Sequence, residues 1–197
     1  MDLDGSDTVS IAGVILAGGR GSRMGGEDKG LVLYRDKPLY QHVLARLRSQ
    51  VSRIYISANR NLPVYQQTGL TVITDTLPDF PGPLAGMLAA LEQTEAEWTI
   101  FVSCDTPSLP EDLVSRLWHA KRAAPVVWAR SGGRDHPTLA LMHISLTEPL
   151  REFLARGERK VMVFLQQTGG HGVSFDDCPD AFNNINRHED LIAGARE

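Results

Sequence analysis

The stretch "VILAGGRGSRMGGEDKG", Val14 to Gly30, decides how this sequence is read. It opens on the apolar end of "IAGVIL" (11–16), a run that reads as a buried strand. It then enters a loop with six glycines among residues 18–30, together with Arg20, Arg23 and Lys29. Glycine lets backbone N–H groups come close to an anion, and the cations add charge; Lys29 suits a point contact with a phosphate. Two common phosphate-binding patterns do not fit. The dinucleotide fingerprint G-x-G-x-x-G begun at Gly19 needs glycine where Met24 stands, and the P-loop needs Lys and Ser/Thr where Glu27 and Asp28 follow Gly26. A solvated surface loop is the bland alternative. It leaves so many glycines and cations directly after a buried strand without a purpose.

Outward from this loop, strands and helices alternate. "RIYIS" (53–57), "LTVIT" (70–74) and "WTIFVS" (98–103) read as strands, and "PVVWAR" and "HPTLALMH" as two more around the turn "SGGRD". "PLYQHVLARLRSQ" (38–50) and "PLAGMLAALEQ" (83–93) carry apolar residues at helical spacing behind a proline. In "SLPEDLVSRLWHAK" (108–121), Ser108 precedes Glu111 by three residues, which predicts a capping box and a helix from there. Such alternation implies an α/β fold with a mainly parallel sheet, because parallel neighbours need crossover connections. Ligands of such sheets sit at the carboxyl ends of the strands. That rule selects the Ala17–Gly30 loop, Ser57–Arg60, Asp75 and Cys104–Asp105.

The chain has 197 residues, enough for one domain with a full core. Its formal net charge is -4, so a long nucleic acid is not an expected partner. No apolar run reaches the roughly 20 residues that span a bilayer. The start "MDLDGSDTVS" lacks the features of a signal peptide and reads as a disordered extension. The two cysteines, Cys104 and Cys178, form neither a disulfide framework nor a metal cluster. A cytoplasmic monomer without nucleic-acid or membrane partners is expected.

"LAGGRGSRMGGEDKGL" (16–31) resembles the signature L-A-G-G-x-(S/G)-x-R-M-G-x-x-K of nucleotidyltransferases with a GT-A-like Rossmann fold. The tighter resemblance is to the molybdenum cofactor guanylyltransferases (MobA). It is carried by "DKPLYQHV", "SANR", "PGPLAGM", "CDTP", "RDHPT", "GERKVMVF" and "FNNIN", in family order over about residues 11–195. The resemblance implies a three-layer Rossmann-like fold, a mainly parallel twisted sheet flanked by helices, in one domain over residues 1–197. It implies transfer of GMP from GTP to the terminal phosphate of molybdopterin, giving molybdopterin guanine dinucleotide and pyrophosphate. The half at about 11–110 would bind GTP and Mg²⁺, and the half at about 111–195 would contribute the molybdopterin side. Other proteins of molybdenum cofactor biosynthesis would be transient partners.

Carried over by position, the GTP contacts fall on Leu16, Ala17, Gly18, Lys29, Asp75 and Asp105, with Asp105 also the Mg²⁺ ligand. Gly19, Ser57 and Asn59 join them on the nucleotide side. Ser57 stands where the family usually has asparagine; its hydroxyl also donates and accepts but reaches less far.

The chemistry asks for few groups. A phosphate monoester is already mostly ionised at neutral pH, with a second pKa of about 6, so no general base is needed to make the nucleophile. What is needed is positive charge and alignment of two anionic substrates. Lys29, Asp105 and Arg23 are the candidate catalytic residues. Arg23 either grips a phosphate or pins the loop. Asp105 either holds the metal or caps the turn "DTPS", and Asp75 either holds the ribose or base or starts its own turn. Gly82 and Gly86 either allow close approach to substrate or serve helix packing. On the molybdopterin side stand Gly82, Gly86, Arg159, Lys160, Asn184 and Asn186, although Asn186, three residues before Glu189, also makes a good helix cap. "RSGGRDHPT" places Arg134, Asp135 and His136 on a turn, with His136 read as a packed histidine. A cytidylyltransferase acting on molybdopterin or a sugar-alcohol phosphate is the nearest alternative. A non-catalytic cofactor binder would not need Asp105. A dinucleotide-dependent oxidoreductase is disfavoured by the failed fingerprint.

Overall fold

The apolar run 11–16 becomes an interior strand of the sheet, next to its middle strand. In the computed structural model, which describes residues 9–17, 27–77 and 82–185, β1 (Ile11–Leu16) lies between β4 (Arg53–Ser57) and β6 (Trp98–Ser103), parallel to both. β5 (Thr71–Ile73) extends the sheet beyond β4, again parallel. Beyond β6 come β8 (Arg134–His143), β7 (Val126–Ser131) and β9 (His171–Ser174), giving the order β5-β4-β1-β6-β8-β7-β9. Only β8 runs against the rest of this sheet. A separate two-residue pair, β2 (Leu33–Tyr34) and β3 (Lys37–Pro38), turns at Arg35 and Asp36.

Strand alternation sends side chains to two opposite cores. Val14, Phe101 and Met142 face a layer formed by α3 (Pro83–Gln93), α5 (Thr147–Ala155) and α6 (Val161–Gln167). Ile15, Ile100 and Leu141 face α1 (Leu39–Leu47), α2 (Leu62–Gln66) and α4 (Leu113–Ala120). α3 is apolar all round because it is covered twice, by the sheet and by α5. Arg151 of α5 ties the two helices with an ion pair to Glu92 at 2.7 Å. On the other face Gly13 lets α1 settle close to β1, since a Cβ there would stand 2.9 Å from Leu47 Cδ2. The expected α/β architecture with a mainly parallel sheet is borne out.

Three local expectations need correction. α4 begins at Leu113 with Asp112 at its cap, so Ser108 and Glu111 form no capping box. Pro110 is the reason: it pushes Leu109 out of the helical region, and the chain turns before the helix can start. Arg134, Asp135 and His136 belong to β8 and not to a turn. The turn is only Gly132–Gly133, both at positive φ (55° and 75°), the geometry that suits a two-residue hairpin. Pro137 sits where the β7–β8 register jumps from Trp128–Ala140 to Ala129–His136, an irregularity that tolerates its missing N–H. The helix expected over 38–50 ends at Leu47, and residues 48–50 form a turn.

Candidate active site

The carboxyl ends of β1, β4, β5 and β6 are held level by backbone bonds that continue past the strands. Ala17 N donates to Ser57 O at 2.9 Å, Ala58 N to Ile73 O at 3.0 Å and Cys104 N to Leu16 O at 3.3 Å. Residues that follow these strands are therefore brought side by side, although they are far apart in sequence.

Lys29 and Asp105 meet at this edge. Lys29 lies in a short 3₁₀ turn (Lys29–Leu31) after the glycine-rich loop, and its Nζ donates to Asp105 Oδ2 at 3.0 Å. The other carboxylate oxygen is held from the protein side: Ser103 Oγ donates to Oδ1 at 2.6 Å and Thr106 Oγ1 at 3.3 Å. Asp105 is thus oriented by hydroxyls on Oδ1 and presents Oδ2 to a cation. Among the described residues no three His, Cys, Asp or Glu side chains cluster. The oriented Asp105 carboxylate is the kind of donor that a hard divalent ion takes, completing its shell with substrate oxygens and water.

A second group gathers around α3. A Cβ on Gly86 would stand 2.9 Å from Ser57 Oγ, 3.5 Å from Asp75 Oδ1 and 3.6 Å from Leu16 Cδ2. Gly86, expected on the molybdopterin side, is therefore among residues expected on the nucleotide side. Asn59 Oδ1 accepts from Asp75 N at 2.9 Å and fixes the chain after β5. Burial pushes the Asp75 carboxyl above its ordinary value, and the Asn59 side chain opposes this in part. Gly82 has φ 107°, a conformation that favours glycine, directly before the proline that starts α3.

The second half reaches the same edge through its last described residues. Ile185 N donates to Asp105 O at 2.9 Å, and Asn184 Oδ1 lies 3.4 Å from Thr106 Oγ1. Arg159 and Lys160 are exposed at the start of α6, where Lys160 is the N-cap residue. His136 stacks on Phe182 with ring centroids 4.9 Å apart and shares a hydrogen bond with Ser131 Oγ. Burial first, and then the charge of Arg134, holds its imidazole below the ordinary value. Cys104 is buried, and burial pushes its thiol up to about 12, so it serves as packing. Gly18, Gly19, Arg20, Arg23 and Asn186 lie outside the described residues. Sequence reasoning missed Ser103, Thr106 and the buried Asp28; the first two carried the signal of hydroxyls flanking the strand-end aspartate.

The profile of the MobA-like NTP transferase domain matches residues 13–171. The chain belongs to the MobA-like NTP transferase family. It is 52% identical over 187 residues to a molybdenum cofactor guanylyltransferase of Serratia proteamaculans (strain 568), covering 95% of each chain. A molybdenum cofactor guanylyltransferase of Yersinia pestis (strain Pestoides F) is 50% identical, over 92% of this chain and 93% of that one. Among solved structures, molybdopterin-guanine dinucleotide biosynthesis protein A from Archaeoglobus fulgidus superposes with a TM-score of 0.77 at 21% identity, over 94% of this chain and 97% of that one. The resemblance drawn from the motifs is borne out, and so is the Rossmann-like nucleotidyltransferase fold. Among the described residues, no helix of this MobA-like chain is long and apolar enough to cross a membrane.

Proposed function

We propose that this MobA-like transferase moves the GMP unit of GTP to the terminal phosphate of molybdopterin and releases pyrophosphate. The observation that carries the reading is the Lys29–Asp105 pair at the carboxyl edge of the sheet, in a chain 52% identical to a molybdenum cofactor guanylyltransferase. An oxygen of the molybdopterin phosphate attacks the α-phosphorus of GTP. The new O–P bond forms as the bond to the β-phosphate bridge oxygen breaks, and the electron pair leaves with pyrophosphate. The nucleophile is already ionised, so the residues supply charge and alignment.

Lys29 neutralises the triphosphate, and Asp105, oriented by Ser103 and Thr106, holds Mg²⁺. When bound, Mg²⁺ would offset the charge that builds on the phosphate oxygens. Leu16, Ala17, Gly18 and Gly19 would follow the phosphates and sugar with backbone atoms. Ser57, Asn59 and Asp75 would hold the nucleoside, with Gly86 leaving room beside them. Arg23 would grip a phosphate. Gly82, Arg159, Lys160, Asn184 and Asn186 would receive the molybdopterin side. The two halves of one domain divide the substrates in this reading, and the enzyme acts as a cytoplasmic monomer.

Thermal unfolding with Mg²⁺ and GTP, CTP, ATP, UTP or NAD tests this directly. A ligand at 100 times its dissociation constant stabilises the fold by about 2.7 kcal/mol. The expected result is a shift with GTP that is lost in Asp105→Ala. A larger shift with CTP would replace the guanine assignment with a cytidylyl one.

A further inference from the structure

Asp28 is the only buried charged side chain among the described residues, and the proposed chemistry does not use it. A carboxylate in that position is costly unless several donors hold it. Three do. Tyr65 Oη donates to Oδ1 at 2.8 Å, Gly30 N donates to Oδ1 at 3.2 Å, and Asn61 Nδ2 donates to Oδ2 at 3.0 Å. Tyr65 is fully buried, and burial together with the charge of Asp28 keeps its phenol protonated, hence a donor. Asn61 adopts φ 53°, a left-handed conformation that asparagine tolerates. Gly30 makes the arrangement possible, because a Cβ there would lie within 2.4 Å of Tyr65 Oη. The backbone on the other side is held too, with Arg60 Nη2 donating to Glu27 O at 3.0 Å.

Lys29 sits between these fixed points. Glu27 and Asp28 before it are tied to residues 60–65, and Gly30 after it is tied back to Asp28, while its own side chain turns to Asp105. We propose that Asp28, through Tyr65, Asn61 and Gly30, is a positioning residue that fixes the backbone of Lys29 and so aims its ammonium at the phosphates. This rests on the reading of Lys29 as the group that neutralises the triphosphate. The anchor's partners come from outside the glycine-rich loop, from Asn61 at the cap of α2 and the buried Tyr65 within it.

The test is a double-mutant cycle on the full chain, read as kcat and as KM for GTP. Asp28→Asn keeps the size but puts an amide donor against the existing donors. It should lower kcat roughly 10- to 100-fold, with a smaller change in KM. In a Lys29→Ala background the same change should add almost nothing, because the group that Asp28 aims is gone. Tyr65→Phe should repeat the pattern more weakly, and Asp28→Glu should recover less than half of the loss. Should Asp28→Asn fail to fold, the cycle with Tyr65→Phe decides the matter alone. Independent, multiplying losses with Lys29→Ala would overturn the proposal and leave Asp28 a stability element. A Lys29→Ala enzyme within a few-fold of wild type would instead overturn the reading of Lys29 on which the proposal stands.

Discussion

The two halves of this sheet carry their residues to the site in different ways. On the β5-β4-β1-β6 side every strand is parallel, and Ala17, Ser57, Asp75 and Asp105 arrive at one edge because each follows or ends a strand. On the β8-β7-β9 side β8 runs antiparallel to its neighbours, and the residues proposed for molybdopterin, Arg159, Lys160 and Asn184, come from segments that follow α5 and the last 3₁₀ turn (Pro179–Phe182). The parallel half therefore makes a site whose geometry is set by the register of the sheet. The site proposed for the other half is set by where its loops close. The proposed nucleotide contacts should accordingly be sensitive to single atoms, and the proposed molybdopterin contacts more forgiving.

The largest effect should come from the parallel half. Lys29→Ala or Asp105→Ala removes a directed charge and should cut kcat by about 10²–10³ in a steady-state transfer assay. Gly86→Ala should come next. Its methyl would stand 2.9 Å from Ser57 Oγ, so it should raise KM for the nucleotide by roughly tenfold and cost about 1 kcal/mol of stability. Ser57→Gly in the same chain should restore part of both, measured by denaturant unfolding and by nucleotide binding. If Gly86→Ala raises KM for molybdopterin instead, that glycine belongs to the other half after all.

Smaller again is the double change Arg159→Ala with Lys160→Ala. Both side chains are exposed, so the contribution is screened by salt. A rise of a few-fold in KM for molybdopterin is expected, shrinking as ionic strength rises, with KM for GTP unchanged. An effect as large as that of Lys29→Ala would break the contrast between the halves.

The smallest effect concerns stability and pH. Burial raises the Asp75 carboxyl above its ordinary 3.8. The folded state thus binds this proton more tightly than the unfolded state. The associated stability is full below 3.8 and is lost as pH rises through the raised folded value. Asp75→Asn should therefore be slightly more stable than wild type at neutral pH, and this advantage should fade as pH falls toward 4, checked by paired melting curves. Its nucleotide affinity should fall, which separates binding from stability at that position.

The same contrast explains what the sequence revealed. β1, β4, β6 and α3 have the bounds that their residue patterns predict, because buried parallel strands and a helix begun by proline leave strong local marks. The strand-end rule then pointed to Asp75 and Asp105 without any distance. α5, α6 and β9 leave weaker marks, since the two helices run only nine and seven residues and the strand four. The start of α4 was misread because a local capping pattern was given more weight than Pro110. Asp28 could not be read as an anchor: its partner Tyr65 lies 37 residues away on α2, and only the fold brings the two together.

The most direct test of the central claim follows the α-phosphorus of the nucleotide. The enzyme is incubated with Mg²⁺, molybdopterin and GTP or CTP labelled at that atom, and product and pyrophosphate are separated. The account predicts that label from GTP enters the molybdopterin product, that pyrophosphate leaves unlabelled, and that Asp105→Ala stops the transfer. Preferential transfer from CTP, or undiminished transfer by Asp105→Ala, would contradict it.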